Sequence, residues 1–430
     1  MTSFAALRKH LLRAVRGGWL VYLGAAVLSR LGGMVLVPLY TRRLSTEEYG
    51  SYSLVVSLTA VLPLMLTLGL TAVVSKVFFD EPTLETARTK VGTVARWMYL
   101  LAAGAGAIIA ILGALAWPNG ALTLSGKHVA LAVVGSVGTA FSTVPEGYFR
   151  ATRQATRVVA LQLFLFFSTT GLGLLFVAVL GRGLNGAIEA TAIVGGCVGA
   201  FSLVFVSRLG GEFEPGTLRR WLPVSLPFVL HFFASWLLTM GDRWVLSARN
   251  LGAELGTYYL AVQLVSPALM LVTTWNEIEA ARLGEVYRDR GIRGARAVAF
   301  RRTLVYFLIA MVGAAGVLML IPLLPYVVGQ RFVGSSSYLP ALLLAHLLES
   351  QYFVPGLVLL YAGRTGVFPS VTVLSGLMNV TLAWVLVPRF GVPGLLVARV
   401  LASFTRSALM AAAAFGLARE PTGDQLTEQA

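Results

Sequence analysis

Cysteine and acidic residues are scarce in this chain. Cys197 is its single cysteine, and 19 acidic residues stand against 34 lysines and arginines. One thiol excludes an internal disulfide and a cysteine-based metal site. The histidines are too scattered along the sequence to predict a metal site of their own; they are His10, His128, His231 and His346. We therefore expect no metal and no other cofactor.

Motifs for enzymatic chemistry are absent from the sequence as well. It contains no GxxxxGK[ST] phosphate loop, no HExxH zinc motif and no GxSxG nucleophile elbow. The longest stretch expected to be a loop, near residues 279–303, is too short to hold a catalytic domain. We predict that the chain is not an enzyme and has no catalytic residues.

Long apolar runs dominate what the sequence does contain. Hydrophobic residues make up 57% of the chain and charged residues 12%, whereas soluble domains carry about 25% charged residues. Runs of about 20 apolar residues, the length that crosses the hydrocarbon core of a bilayer, predict about twelve transmembrane helices. The expected spans are 17–40, 52–75, 94–117, 128–149, 158–181, 186–207, 223–246, 257–278, 303–328, 337–361, 366–387 and 392–416. The predicted fold class is an all-α polytopic membrane protein.

One stretch of the sequence occurs in two similar copies, at residues 48–58 and 254–264. A second pair of similar stretches, 183–186 and 391–394, has nearly the same spacing as the first. Two echoes at one spacing indicate a duplicated half, as in secondary transporters. Six spans in each half predict two parallel six-helix bundles around a central cavity. Residues 48–58 and 254–264 share the identities Glu48/Glu254, Gly50/Gly256, Tyr52/Tyr258, Leu54/Leu260, Val56/Val262 and Leu58/Leu264.

The placement of the basic residues predicts an orientation. Lys and Arg are roughly three times more frequent in the loops on one side of the expected spans, which the positive-inside rule places in the cytoplasm. Both termini fall on that side. The richest basic loop, 282–302, is expected to lie along anionic lipid headgroups. The expected domains are an N-terminal bundle at 1–207, a cytoplasmic linker at 208–221, a C-terminal bundle at 222–416 and a cytoplasmic tail at 417–430.

Arginines inside the expected spans are candidates for function, because burying a charge in a bilayer costs about 2.5–3.5 kcal/mol or more. Arg30 lies in the middle of the first span, and Arg399 and Arg406 lie two turns apart on one face of the last. A guanidinium offers a fixed fork of donors that suits phosphate, so all three are candidate substrate-binding residues. The alternatives are structural ion pairs and, for Arg406, snorkelling to the membrane surface.

Acidic residues inside the expected spans are few. Glu349, with His346 one turn before it, forms the most polar intramembrane cluster and is the candidate for ion coupling. A satisfied network between helices fits the same two residues equally well. Asp242 and Arg243, at the end of the seventh span, are expected to pair with each other or with a neighbouring helix.

Two glycines of the repeated stretch are candidates for a mechanical role. Gly50 and Gly256 are expected in turns on the outer side, where they either help to shape a gate or simply orient the spans that follow. Together with Asp242 and Arg243 they form the set assigned to a gate or to structure.

Three stretches carry a family resemblance. They are PLYTRRLSTEEYGSY at 38–52; Leu226–Pro227 followed by Asp242–Arg243 and GTYY at 256–259; and VPRFGVPG at 387–394. Together they resemble the polysaccharide flippases, the O-antigen and exopolysaccharide exporters of the multidrug/oligosaccharidyl-lipid/polysaccharide superfamily.

The resemblance implies a flippase that moves undecaprenyl-diphosphate-linked oligosaccharide from the cytoplasmic to the outer leaflet by alternating access, for cell-surface polysaccharide synthesis. It implies an inner-membrane location, with the lipid-linked oligosaccharide and membrane lipids as partners and no nucleic acid. A polysaccharide polymerase and glycosyltransferases are expected as further partners. Related lipid II flippases bind the diphosphate through cavity arginines, and Arg30 is the counterpart of the one in their first span.

Other functions fit parts of the same sequence. A cation-coupled multidrug exporter of the same superfamily would need an acid-lined pocket in the N-terminal half, and the scarcity of intramembrane acids there argues against it. A polysaccharide polymerase or ligase would carry large periplasmic loops, which are absent here. A non-transporting scaffold for polysaccharide assembly remains open at this stage.

Overall fold

The structure is a computed structural model, and it describes residues 34–116 and 123–416. The long elements in these residues are α-helices, which confirms the all-α fold class. Arg30 lies outside the described residues. The helices are α1 at 34–43, α2 Thr46–Leu66, α3 Leu70–Phe79, α4 Leu84–Ala116, α5 Gly126–Ala151, α6 Ala155–Gly173, α7 Gly183–Ser207, α8 Gly216–Ala248, α9 Gly252–Met319, α10 Leu339–Ser350, α11 Phe353–Tyr361, α12 Val367–Phe390 and α13 Val392–Phe415.

The described residues contain ten segments that are long and apolar enough to cross a membrane. One of them, Gly252–Val327, holds two expected spans, 257–278 and 303–328. The first expected span, 17–40, lies mostly outside the described residues. Counted in this way, the segments agree with the prediction of about twelve helices, and the chain is a multi-pass membrane protein.

The expectation of a loop at 282–302 is wrong. α9 runs through this region, and its non-helical residue is Gly291, with φ 63° and ψ −167°. Glycine adopts positive φ without a steric penalty, so it joins the two helical halves of α9 here. Hydropathy locates the hydrocarbon crossing only, whereas Arg, Glu and Ala are strong helix formers that extend a helix beyond the bilayer. The polar extensions are packed, with Leu283, Ala295 and Ala299 buried in one cluster.

Two expected spans are each divided into two helices. The span expected at 52–75 divides into α2 and α3 at Leu68 and Gly69, which both have positive φ. The span expected at 337–361 divides into α10 and α11 at a turn formed by residues 351–352. Broken helices in membrane proteins are tolerated where the freed backbone groups are bonded again, and they are frequent around transport sites.

The described residues divide into two compact units. The first contains the residues up to Phe233, together with Asn250–Thr257 and Pro325–Val333. The second contains Ala234–Arg249, Tyr258–Leu324 and the residues from Gly334 onward. Because α8 begins at Gly216, residues 216–221 of the expected linker are helical. The division of the chain into repeats at 208–221 stays a prediction.

Each unit has its own apolar core. In the first unit, α3, α4 and α5 bury a cluster in which the rings of Tyr99 and Phe141 stack 3.9 Å apart. In the second unit, α9, α11 and α13 bury a cluster that includes Tyr306, Val358 and Met410. These cores fix the helices that carry the buried polar side chains.

Candidate functional site

The first residues of the two copies of the repeated stretch, around Gly50 and Gly256, pack against each other in the first unit. Gly50 lies in α2 and Gly256 in α9, near the start of each helix, so the expectation that they occupy turns is wrong. A Cβ atom on Gly50 would lie 3.1 Å from the backbone nitrogen of Gly256. A Cβ atom on Gly256 would overlap the carbonyl of Thr46. Glycine is required at both positions because the two helix backbones touch.

A capping box fixes the start of α2 beside this contact. The Ser45 hydroxyl accepts a hydrogen bond from the backbone N–H of Glu48 at 3.1 Å, and the Glu48 carboxylate accepts one from the backbone N–H of Ser45 at 2.8 Å. This reciprocal arrangement satisfies two N–H groups that the first turn of a helix leaves open. The sequence SxxE of this box therefore sets where the helix that carries Gly50 begins.

The second unit buries an ion pair between α8 and α13. Arg399 Nη1 lies 3.4 Å from Asp242 Oδ2, and the two residues are 7% and 1% exposed. Tyr258 of α9 donates its hydroxyl to the same carboxylate oxygen at 2.5 Å. The backbone N–H of Arg243 donates to the other carboxylate oxygen at 2.8 Å. Asp242 thus pairs with neighbouring helices, which is one of the two expected arrangements.

A backbone carbonyl completes this cluster. The carbonyl of Leu238 accepts from Arg399 Nη1 at 2.6 Å and from Asn379 Nδ2 of α12 at 3.1 Å. α8 and α12 approach closely at this level, since a Cβ atom on Gly376 would lie 2.8 Å from the carbonyl of Ala234. The resulting network joins four helices through one arginine, one carboxylate and one amide.

A second ion pair lies at the end of α10. Arg406 Nη1 donates to Glu349 Oε1 at 2.8 Å, and His346 Nδ1 lies 3.6 Å from Glu349 Oε2. The guanidinium carbon of Arg406 also lies 3.9 Å from the ring centroid of Tyr352, at the turn between α10 and α11. The most polar cluster expected from the sequence is therefore real, and it contains an arginine and a tyrosine that were not assigned to it.

Both intramembrane arginines of α13 are thus paired with carboxylates from other helices. Arg399 pairs with Asp242, and Arg406 pairs with Glu349. A buried charge that loses its partner is strongly unfavourable, so each pair makes the burial of both its members tolerable. Arg243 stacks on Tyr259, with its guanidinium carbon 4.8 Å from the ring centroid.

Sequence reasoning missed a third buried carboxylate. Glu279 of α9 is 1% exposed, and it lies 2.8 Å from Arg302 and 3.9 Å from Arg282. Beside it, the hydroxyl of Tyr306 donates to the Asn276 side chain at 2.9 Å. The signal was present, because Glu279 borders an expected span. Both partners, however, lie in the region expected to be a loop, and Arg302 lies across Gly291 from it.

No group of three or more potential metal ligands occurs among residues 34–116 and 123–416.

In the first unit, the two carboxylates within expected spans are both paired. Glu146 lies 2.5 Å from Arg150, and Glu189 lies 2.9 Å from Arg182 and 3.2 Å from Lys127. Each carboxylate therefore already has basic partners.

Comparison with known proteins places the chain in a family. Residues 15–277, more than half of the chain, match the profile of a family described as polysaccharide biosynthesis protein. The chain belongs to this family. A protein of the Lsg locus of Haemophilus influenzae, number 1 of that locus, is 22% identical over 373 residues, which are 84% of this chain and 88% of that protein.

Solved structures share the fold of this family member. An inward-facing multidrug resistance MATE family transporter of the MOP superfamily superposes with a TM-score of 0.74 at 15% identity, over 90% of this chain and 93% of the other. The lipid II flippase MurJ in an inward closed conformation superposes with a TM-score of 0.71 at 12% identity, over 91% of this chain and 86% of the other. At these identities the likeness shows the fold alone.

The family confirms the resemblance seen in the sequence. It places the chain in polysaccharide biosynthesis, and the expectation of a transporter that is not an enzyme stays a prediction. The roles of the individual site residues stay predictions.

Proposed function

We propose that the chain flips an undecaprenyl-diphosphate-linked oligosaccharide from the cytoplasmic to the periplasmic leaflet of the inner membrane by alternating access. The membership of residues 15–277 in the polysaccharide biosynthesis family is the observation that carries this proposal. The fold shared with a lipid II flippase supports it, because lipid II is the substrate named for that structure. Both termini lie in the cytoplasm in this proposal, in agreement with the positive-inside rule.

Three arginines would hold the diphosphate: Arg30, Arg399 and Arg406. In the structure Arg399 and Arg406 are each held by a carboxylate. A diphosphate carries the same charge sign and the same kind of acceptor oxygens, so it can replace a carboxylate at a guanidinium when the displaced carboxylate gains a proton or another cation. Substrate binding is then an exchange of partners in the second unit.

Glu349 and His346 would couple this exchange to a proton or cation. Protonation of the Glu349 carboxylate removes the charge that holds Arg406 and frees the guanidinium for phosphate. A cation near the carboxylate would act in the same direction. The contact between Gly50 and Gly256 would act as a gate if the two helices separate as rigid bodies. It would act as a fixed support if the helices stay in contact.

The substrate residues are tested by flipping of a fluorescent diphosphate-linked oligosaccharide in proteoliposomes. Arg399→Gln would leave Asp242 buried without its partner, so the variant is made together with Asp242→Asn. The matched control is Arg389→Gln, which removes an exposed charge at the end of α12. We expect the double variant to insert normally and to flip at least tenfold more slowly, about 1.4 kcal/mol. A double variant that flips like the control would remove Arg399 from the substrate site.

A drug exporter of the same fold is separated in the same vesicles. Uptake of a lipophilic cation, without flipping of any lipid-linked oligosaccharide, would replace the flippase by that alternative. Neither activity, at normal insertion, would favour the scaffold for polysaccharide assembly. The polymerase and glycosyltransferase partners are tested by co-purification from membranes.

A further inference from the structure

We propose that the groove between α6 and α7 of the first unit binds one anionic membrane phospholipid. Its phosphate would lie among Arg88, Arg157 and Arg208, and one acyl chain would run along the groove. This site goes beyond the proposed function, since the occupant is a resident lipid of the bilayer and not the transported molecule.

The groove exists because α6 packs loosely. α6 and α7 meet through a small buried cluster of Leu161, Val194 and Val198. Few residues of α6 are buried: Val158, Leu161 and Gly173. Two cavities of about 720 and 450 Å³ lie along this seam, and both are bordered by Phe164 and Cys197. Because they share these residues, the two cavities adjoin along the seam and together are called the groove.

The length of the groove suits an acyl chain. It runs beside α7 from Arg208 to Ile193, which is roughly 20 Å of helix. The depth of one leaflet of the hydrocarbon core is roughly 15 Å. Its walls are mainly apolar, with Phe164, Phe201 and Leu172 among them. One chain of a phospholipid can therefore lie in the groove from the headgroup level to the middle of the bilayer.

The charges at one end select an anionic headgroup. Arg88 lies near the start of α4, Arg157 near the start of α6, and Arg208 directly follows α7. Three helix ends therefore bring three guanidinium groups to one end of the groove. Arg88 donates to the carbonyl of Arg208, and Arg157 lies 5.6 Å from the ring centroid of Phe149. None of the three forms an ion pair with a carboxylate in the part of the chain that the structure describes. Guanidinium groups without a carboxylate suit a phosphodiester.

The same end is too poor in hydrogen-bonding groups for a glycan. Apart from the arginines, Tyr148 and Gln154 are the polar side chains that line it. The side-chain amide of Gln154 already donates to Thr152 at 2.8 Å. A small headgroup such as phosphatidylglycerol fits this lining, whereas an oligosaccharide would leave many hydroxyls without partners.

Cys197 provides a reporter inside the groove. It is the single cysteine of the sequence, it is exposed, and it borders both cavities. The full-length chain is placed in nanodiscs of phosphatidylcholine with increasing phosphatidylglycerol, and the rate at which a membrane-permeant maleimide labels Cys197 is measured. We expect labelling to slow several-fold as phosphatidylglycerol increases, because an acyl chain covers the thiol.

Two variants make the test specific. Arg157→Gln with Arg208→Gln removes charge at the groove, whereas Arg219→Gln removes an exposed charge at the start of α8 that does not line it. We expect phosphatidylglycerol affinity to fall about fivefold for each arginine removed at the groove and to stay unchanged in the control. The amount of phosphatidylglycerol retained in native mass spectra is expected to rank the wild type and the variants in the same order as the affinities. A monodisperse elution profile checks that each variant is folded.

Three outcomes would overturn the proposal. The first is labelling of the wild type that does not respond to phosphatidylglycerol. The second is an equal loss of protection in Arg219→Gln, which would indicate surface charge alone. The third is protection by undecaprenyl phosphate but not by phosphatidylglycerol, which would assign the groove to the carrier lipid. A failure of oligosaccharide flipping has no bearing on this result, so the two proposals fail separately.

Discussion

Arg399 and Asp242 lie 157 residues apart in the sequence and 3.4 Å apart in the structure. They belong to α13 and α8, and both are buried. Each makes the burial of the other tolerable, because an unpaired charge in this environment would be far more costly than the pair. The pair is therefore a point where folding and the proposed substrate binding use the same two side chains.

Removing one member of this pair should be worse than removing both. Asp242→Ala leaves the Arg399 guanidinium buried and is expected to lower the free energy of unfolding by about 3–5 kcal/mol. Asp242→Ala with Arg399→Met removes both charges and should cost clearly less. The measurement is unfolding in mixed micelles, with Asp289→Ala as the control, since Asp289 is exposed and pairs with exposed Arg288. Equal losses in the single and double variants would contradict the pairing.

The hydroxyl of Tyr258 should matter more than its ring. Tyr258→Phe keeps the fully buried ring but removes the hydrogen bond of 2.5 Å to Asp242. Hydrogen bonds to charged groups contribute about 1.5–3 kcal/mol, so a loss of that size in the free energy of unfolding is expected. Tyr326→Phe, at an exposed position, should change little. If both variants unfold like the wild type, Tyr258 does not support the carboxylate.

The backbone contact at the repeated stretch should tolerate no side chain. Gly256→Ala places a methyl group against the Thr46 carbonyl and is expected to cost about 1–3 kcal/mol of stability. Gly316→Ala lies in the same helix with nothing within 4 Å, and it should be neutral or slightly stabilising because alanine favours helices. Thermal unfolding of the two variants in detergent compares them directly, and a harmless Gly256→Ala would show that the helices are not in contact.

The role of Glu349 in coupling should appear in the pH dependence of transport. Glu349→Gln keeps the size of the side chain but cannot gain or lose a proton, so flipping should become independent of a pH gradient. Glu285→Gln, at an exposed position of α9, should keep the response of the wild type. Flipping by Glu349→Gln that still follows the gradient would assign coupling elsewhere.

The sequence predicted the number of helices and the polar positions inside them better than the contacts between them. The spacing of Arg399 and Arg406 predicted that both lie on one face of their helix. Their partners, Asp242 and Glu349, come from helices far away in the sequence. Helix periodicity carries no information about such pairing. The sequence singled out Gly50 and Gly256 correctly, but it predicted turns at both positions, whereas both lie in helices.

The errors in the fold have one physical origin. Hydropathy marks where the chain crosses hydrocarbon, so it could not show that α9 stays helical through the basic residues up to Gly291. It also could not show the turn at residues 351–352, because the residues on both sides of the break belong to one mainly apolar run, 337–361. Breaks of this kind depend on which groups bond the freed backbone, and that is a property of the packed structure.

The most direct test of the account is flipping of a diphosphate-linked oligosaccharide by the purified chain in proteoliposomes, with the wild type and Arg30→Ala compared at equal insertion. We predict that the wild type moves the labelled lipid across the bilayer and that Arg30→Ala does so much more slowly. Flipping by both at the same rate would remove Arg30 from the site while keeping the flippase. Absence of flipping by the wild type, across several glycans, would contradict the central claim.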